Sequence, residues 1–186
     1  MEIHRLIEEI YEEMVGWRRK LHEEPELSFE EHQTAAFIYD KLAEFKLDRV
    51  DYVCETAVVA LLNGGKGAGK CLAIRADIDA LPVTEQTGYA FASRRDGLMH
   101  ACGHDGHVAI LLATAKILAE HRDSFKGCIK FIFEHGEEKF PGGAKALVHA
   151  GVMEHPHVDS IIGLHIVPSD ECGRIRIKSG PVAIGC

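Results

Sequence analysis

The run Leu98-Met-His-Ala-Cys-Gly-His-Asp-Gly-His107 places three His, one Cys and one Asp within ten residues. These side chains hold transition-type metals or activate water. Cys102 and His104 are two apart, a spacing that in an extended segment turns both side chains the same way, toward one ion. Val108 to Ala119 follows without Pro or Gly and reads as an apolar helix. The cluster therefore sits at a helix N-terminus, where the partial positive charge favours a thiolate or carboxylate. A single Cys is commonly a small core hydrophobe and a single His a satisfied core or surface residue. Five such residues in ten carry the chemical reading.

Other chemistry-bearing residues stand at the ends of apolar runs. Asp77-Ile-Asp79-Ala-Leu-Pro82 closes the strand-like Cys71-Leu-Ala-Ile-Arg-Ala-Asp77. Glu134-His-Gly-Glu-Glu138 follows Cys128-Ile-Lys-Phe-Ile-Phe133, and His165 lies near the end of Val158 to Val167. Ligands of open α/β sheets gather at the C-terminal ends of strands. A shared sheet edge would thus bring all four sets together. Taken alone, the two Asp also fit loop solvation or a helix cap, and His165 fits a core histidine. His100, His107 and His135 have no ligand assignment and are read as supporting or surface groups.

The positioning elements follow from periodicity. Residues 2 to 22 carry Ile3, Leu6, Ile7, Ile10, Met14 and Leu21 near helical spacing. Pro25 interrupts, and Ser28 with Glu31 has the S-x-x-E form of a capping box opening a second helix. Its apolar positions are Ala35, Ile38, Leu42 and Phe45. Strands are expected over 50–53, 56–62, 71–77, 128–133, 158–167 and, by alternation, Gly173-Arg-Ile-Arg-Ile-Lys178. A short helix is expected over 144–150, closed by Gly151. Residues 83–97 form a polar connection. The Gly-rich stretch 64–69 lacks the G-x-x-x-x-G-K-[ST] spacing of a phosphate loop. Alternating strands and helices define an α/β class with a mixed central sheet flanked by helices.

Composition narrows the partners. The 186 residues suit one domain, and 21 Lys and Arg against 29 Asp and Glu give a net charge of −8. That balance argues against nucleic acid or an anionic membrane as partner. No apolar run approaches the ~20 residues of a membrane span. The charged, amphipathic N-terminus is unlike a signal peptide, so a cytoplasmic location is expected. The six Cys are irregularly spaced without a C-x-x-C, which suits free thiols in a reducing compartment.

Four blocks together resemble the amidohydrolase branch of peptidase family M20, the group of hippurate hydrolase-like and N-acyl-amino-acid amidohydrolases. They are Trp17-Arg-Arg-Lys-Leu-His-Glu-Glu-Pro-Glu-Leu-Ser28, Arg75-Ala-Asp-Ile-Asp-Ala-Leu-Pro82, Met99-His-Ala-Cys-Gly-His-Asp-Gly-His107, and Glu137-Glu138 with Pro141-Gly-Gly-Ala-Lys145. Gly163-Leu-His165 and Ser179-Gly-Pro181 add to the likeness. The resemblance implies a zinc-exopeptidase-like catalytic domain with two divalent metal ions, zinc, manganese or cobalt. It implies Cys102, His104, Glu138 and His165 as ligands, with Cys102 shared between the ions. It also implies Glu137 as general acid/base and Asp79 as the carboxylate that steadies the site. The implied substrate is a small N-acyl amino acid or similar amide.

By the same resemblance, residues 1–186 correspond to the N-terminal part of the catalytic domain. Family members continue into a lid and dimerisation domain, which allows a homodimer, and then into a C-terminal part with one more ligand His. Glu134-His135-Gly136 departs from the Gln-Pro-Ala-like run of many relatives. Two alternatives use the same residues: a metal-binding fragment without turnover, and a thiol hydrolase with Cys102 as nucleophile.

Overall fold

The computed structural model describes residues 3–169 and 171–180. Helices α1 (Ile3–Glu23) and α2 (His32–Glu44) precede strands β1 (Arg49–Val53), β2 (Ala57–Asn63) and β3 (Cys71–Asp77). Helix α3 (His104–Glu120), strand β4 (Cys128–Glu134), helix α4 (Gly143–His149) and strand β5 (Ser160–Gly163) follow. The strands form one mixed sheet in the order β1-β2-β4-β3-β5. β1–β2 and β2–β4 are antiparallel, while β3 is parallel to both β4 and β5. The expected α/β class with a mixed sheet is the one observed.

Period-two alternation assigns the two faces of the sheet. Val58, Ala60 and Leu62 of β2 and Ile129, Phe131 and Phe133 of β4 pack with α1, α2 and α3. Ala57, Val59 and Ile132 point the other way, toward Leu147 of α4 and Val152 and Val158. Full burial of Phe131 and Phe133 contributes roughly 1.5–3 kcal/mol each. Buried Lys130 is satisfied by the carbonyls of Val152 and Pro156 on that second face.

Three expectations about elements are corrected. Helix α2 begins at His32, so Ser28 and Glu31 do not form a capping box. Glu26 accepts from the N–H groups of Gln33 (3.2 Å) and Thr34 (2.8 Å) instead. Ser28 and Glu31 are buried and bonded to other segments, and those bonds outweigh a local cap. The strand expected over 158–167 is only β5, because its ladder runs opposite Leu72 to Arg75 and ends there. The alternating stretch 173–178 is in no strand, and Ile175 and Ile177 are exposed. Alternation describes one face of a strand but does not supply the neighbouring strand that a ladder needs. Pro181 and Cys186 lie outside the described residues.

Candidate metal centre

The C-terminal ends of the parallel strands β3, β4 and β5 lie together, and α3 starts beside them. Asp77 ends β3, with Asp79 just beyond it, and Glu137 and Glu138 follow β4. His165 stands two residues past β5, and His104 opens α3. Cys102 and His104 are not in an extended segment: Gly103 between them has φ 84°, a left-handed turn that glycine adopts without steric cost. That turn, rather than an extended i, i+2 spacing, brings the two side chains together.

Three overlapping donor sets have their ligating atoms within 4.8 Å of one another: Cys102, His104 and His165; His104, Glu137 and Glu138; and Asp77, His104 and His107. His165 Nε2 is 3.3 Å from Cys102 Sγ, and His104 Nε2 is 3.8 Å from Glu138 Oε1. The sequence-derived residues Cys102, His104, Glu137, Glu138 and His165 are thus brought together, with Asp79 directly behind them.

Hydrogen-bonding logic fixes the imidazoles. His104 Nδ1 faces two acceptors, the Asp79 carbonyl (3.0 Å) and Asp79 Oδ1 (3.2 Å), so it carries the proton. Its Nε2 is buried without a hydrogen-bond partner, near Asp77 Oδ1 (3.6 Å) and Glu138 Oε1 (3.8 Å), and in the neutral ring it carries the lone pair. His165 Nδ1 donates to the Ile166 carbonyl (2.8 Å), which aims the Nε2 lone pair at Cys102. Metal-binding histidines characteristically have this arrangement, with one ring N–H given to a carboxylate or carbonyl and the other nitrogen free. His107 differs. Its Nδ1–H donates to Asp77 Oδ1 (2.5 Å) and its Nε2 accepts from Ile166 N–H (2.9 Å), so neither nitrogen is free. That removes it as a donor from the third set.

Asp79 ties three segments to one point. It accepts from Ser28 Oγ (2.6 Å), from the Glu138 backbone N–H (2.9 Å) and from His104. Burial opposes its charge, but these bonds outweigh burial and hold its carboxyl below the usual range. Asp77 is likewise opposed by burial and brought down to about 2 by His107, His104 and Arg75. Glu137 moves the other way, raised by burial and by the charges of Glu138 and Asp77. Burial, then Glu138, Asp77 and Glu137, push the Cys102 thiol up to about 12. A cation placed among these carboxylates reverses that logic, because a coordinating thiol loses its proton outright. The residues present therefore fit a bound divalent metal in donor type, lone-pair direction and charge.

Several supporting residues were not legible as such. His22 pairs with Asp105 (2.9 Å) and Glu85 (3.2 Å), and Arg18 reaches Asp105 (3.1 Å), which anchors the start of α3 to α1. His100, His107 and His135 are buried rather than on the surface. Burial pushes His100 down to about 4. Glu31 accepts from Thr56 Oγ1 (2.7 Å) and Gly136 N–H (2.7 Å), and His135 Nδ1 lies 2.9 Å from the same hydroxyl. The divergent Glu134-His135-Gly136 run thus faces inward and holds the loop that carries Glu137 and Glu138. Membership of the Trp17–Ser28 block was the only sequence signal for Ser28 and His22.

Mixed sheet, helical layers and a donor cluster at the parallel strand ends define a zinc-exopeptidase-like fold. The model of peptidase family M20/M25/M40 matches residues 73–184, and the chain belongs to that family. It is 49% identical over 181 residues to an N-acyl-L-amino acid amidohydrolase of Geobacillus stearothermophilus, covering 97% of this chain and 48% of the relative. It is 44% identical over 170 residues to an N-acetylcysteine deacetylase of Bacillus subtilis, covering 91% and 44%. A Bacillus subtilis crystal structure, described as a dinuclear metal-binding peptidase of the M20 family, superposes with a TM-score of 0.87 at 42% identity. That superposition covers 94% of this chain and 48% of the other. The chain spans about half the length of these relatives.

Proposed function

We propose that this chain is the metal-binding front part of an amidohydrolase that cleaves N-acyl amino acids or similar small amides with an activated water. The observation that carries this reading is the convergence of two lone pairs on one thiol and one carboxylate. His104 Nε2 and His165 Nε2, each fixed by a donated Nδ1–H, face Cys102 and Glu138. Cys102, His104, Glu138 and His165 would hold two divalent ions. The thiolate and imidazoles suit zinc best, and the carboxylates also accept manganese or cobalt. Bound ions supply a Lewis acid and a water that loses its proton near neutral pH.

The chain's own residues do the rest. Glu137, beside Glu138 and His104, takes the proton of the attacking water and returns it to the leaving nitrogen. Asp79 holds His104 in its ligating tautomer and fixes the backbone of Glu138. The relatives' named activities toward N-acyl amino acids and N-acetylcysteine support the substrate class. A cytoplasmic compartment is supported by the irregular spacing of the six Cys, which suits free thiols in a reducing environment. No described helix is long and apolar enough to cross a membrane.

The test is metal content per chain, followed by amino acid release from N-acetyl amino acids with added zinc, manganese or cobalt. Metal-dependent release that Glu137→Gln abolishes while metal is retained supports the proposal. Metal binding without turnover in any acyl amino acid reduces the chain to a binding half-site. The 3.3 Å Cys102–His165 contact also has the form of a thiol nucleophile with its base. That reading requires a lowered thiol pKa, and Cys102 is pushed up to about 12. Inactivation by alkylation without any metal requirement would restore it.

A further inference from the structure

His107 is buried, uses both ring nitrogens, and has no part in the reading above. It lies on α3 one turn after His104, so both rings share a helix face. Its ring packs beside both proposed ligands, with centroids 5.3 Å from His104 and 4.7 Å from His165, which are themselves 6.2 Å apart. From Nδ1 a line of charge-assisted bonds runs back into the sheet. Asp77 also accepts from Arg75 Nη1 (2.6 Å), and Arg75 Nε donates to Glu134 Oε2 (2.7 Å). From Nε2 the line runs outward to the Ile166 backbone N–H (2.9 Å).

The residue next to that N–H is His165. It is exposed and stands beyond the end of β5, outside any ladder, and its own Nδ1 is spent locally on the Ile166 carbonyl. We propose that His107 is a positioning residue that seats His165 against Cys102 through the Ile166 backbone.

A second observation supports the same seat. A Cβ on Gly106 would lie 2.5 Å from Ile166 Cδ1, and one on Gly103 would lie 3.8 Å from Ile166 Cβ. The Ile166 side chain therefore rests in a space that exists because Gly106, on the turn between His104 and His107, has no side chain. Backbone and side chain of Ile166 are held by neighbouring points on α3. Together they fix the direction in which His165 leaves the chain. Ordering by the sheet alone would end at Gly163.

The inference rests on reading His165 as a metal ligand, and the test separates the two. Zinc affinity is measured by competition with a chromogenic chelator. The thiolate-to-cobalt absorption band of the Co²⁺ form reports whether Cys102 and its neighbours still share one ion. His107→Asn should weaken zinc binding by about 10- to 100-fold, the range for groups that orient ligands, and His165→Ala, which removes a ligand, by at least as much. In the His165→Ala background, His107→Asn should add less than about threefold, because its effect passes through a ligand already removed. His107→Gln can place its carbonyl oxygen near the Nε2 position and accept from Ile166, so it should lose less than His107→Asn. Gly106→Ala, which displaces Ile166, should weaken binding in the same way.

If His165→Ala and Cys102→Ser both bind zinc like the parent, the ligand reading falls, and this inference with it. If they weaken binding but His107→Asn does not, the positioning role alone is refuted. It is also refuted if the losses from His107→Asn and His165→Ala add in full.

Discussion

Asp79→Asn is the substitution that most directly tests how the site is built, because it keeps the shape and reverses one hydrogen-bonding atom. Oδ2 accepts from Ser28 Oγ and Glu138 N–H, while Oδ1 accepts from His104 Nδ1–H. Asparagine offers one acceptor and one NH₂. If its carbonyl oxygen keeps Ser28 and Glu138, its NH₂ faces His104 Nδ1. His104 is then driven toward the other tautomer, with a proton on the nitrogen that should hold the metal. The opposite orientation keeps His104 but sets the Glu138 N–H against the NH₂, with an orphaning cost of about 1–3 kcal/mol, and makes the Ser28 hydroxyl turn to accept. The first orientation is favoured, so metal binding suffers more than stability. The expected loss is about 10- to 100-fold in zinc affinity, or roughly 1.4–2.8 kcal/mol. Urea unfolding of the metal-free protein should show a smaller loss, near 1 kcal/mol. Asp79→Ala should show the reverse balance: His104 keeps the Asp79 carbonyl (3.0 Å), but Ser28 and Glu138 N–H lose their acceptor. Its stability should fall by about 2–5 kcal/mol. Parent-like zinc affinity in Asp79→Asn, measured with the metal-free protein folded, would refute the tautomer argument.

Other outcomes follow from single contacts. Glu26→Gln loses the charged acceptor of the first α2 N–H groups and should cost about 1 kcal/mol in urea unfolding with an unchanged m-value. The His22–Asp105 pair makes stability depend on pH. The Asp105 hydrogen bond raises His22 above its ordinary 6.5 against the opposing effect of burial. The His22 contribution is therefore complete below pH 6.5 and disappears as pH rises through the folded value. The stability gap between the parent and His22→Gln should be wider at pH 6 than at pH 9 in paired urea titrations. Gly103→Ala puts a side chain on a left-handed residue and should cost about 1–2 kcal/mol while shifting Cys102 relative to His104. Thermal unfolding and zinc affinity should fall together. Zinc at 100 times its Kd should stabilise the folded chain by about 2.7 kcal/mol, and a chelator should reverse the gain, as read in denaturant midpoints.

The elements were legible where one physical cause dominates. β2, β3, β4 and α3 carry continuous apolar patterns long enough to specify themselves, and their observed bounds follow the pattern closely. The site was legible as residue types at strand ends, because a parallel sheet collects its strand ends at one edge. Contacts between distant segments were not legible. Ser28 and Glu31 have the local form of a cap, yet Ser28 bonds to Asp79 and Glu31 to Thr56 and Gly136. A carboxylate at 0% exposure has to find its donors, and those donors come from the turn before β2 and the loop after β4. Nothing in a local window distinguishes that fate from a capping box.

His107 shows the same limit from the other side. Within the Cys/His cluster it shares its type with His104 but has no ligand assignment from the sequence, and the structure separates the two by partner. His104 meets a carbonyl and a carboxylate on one nitrogen and has no hydrogen-bond partner on the other. His107 meets a carboxylate on one nitrogen and an amide N–H on the other. Whether an imidazole coordinates is therefore decided here by the partners its nitrogens meet: Asp79, 25 positions away, on Nδ1 of His104, and Ile166, 59 positions away, on Nε2 of His107. Spacing can nominate histidines for a metal, but the choice among them belongs to the fold that delivers their partners. For that reason Asp79 and Ile166 are as informative about the centre as the donor atoms are.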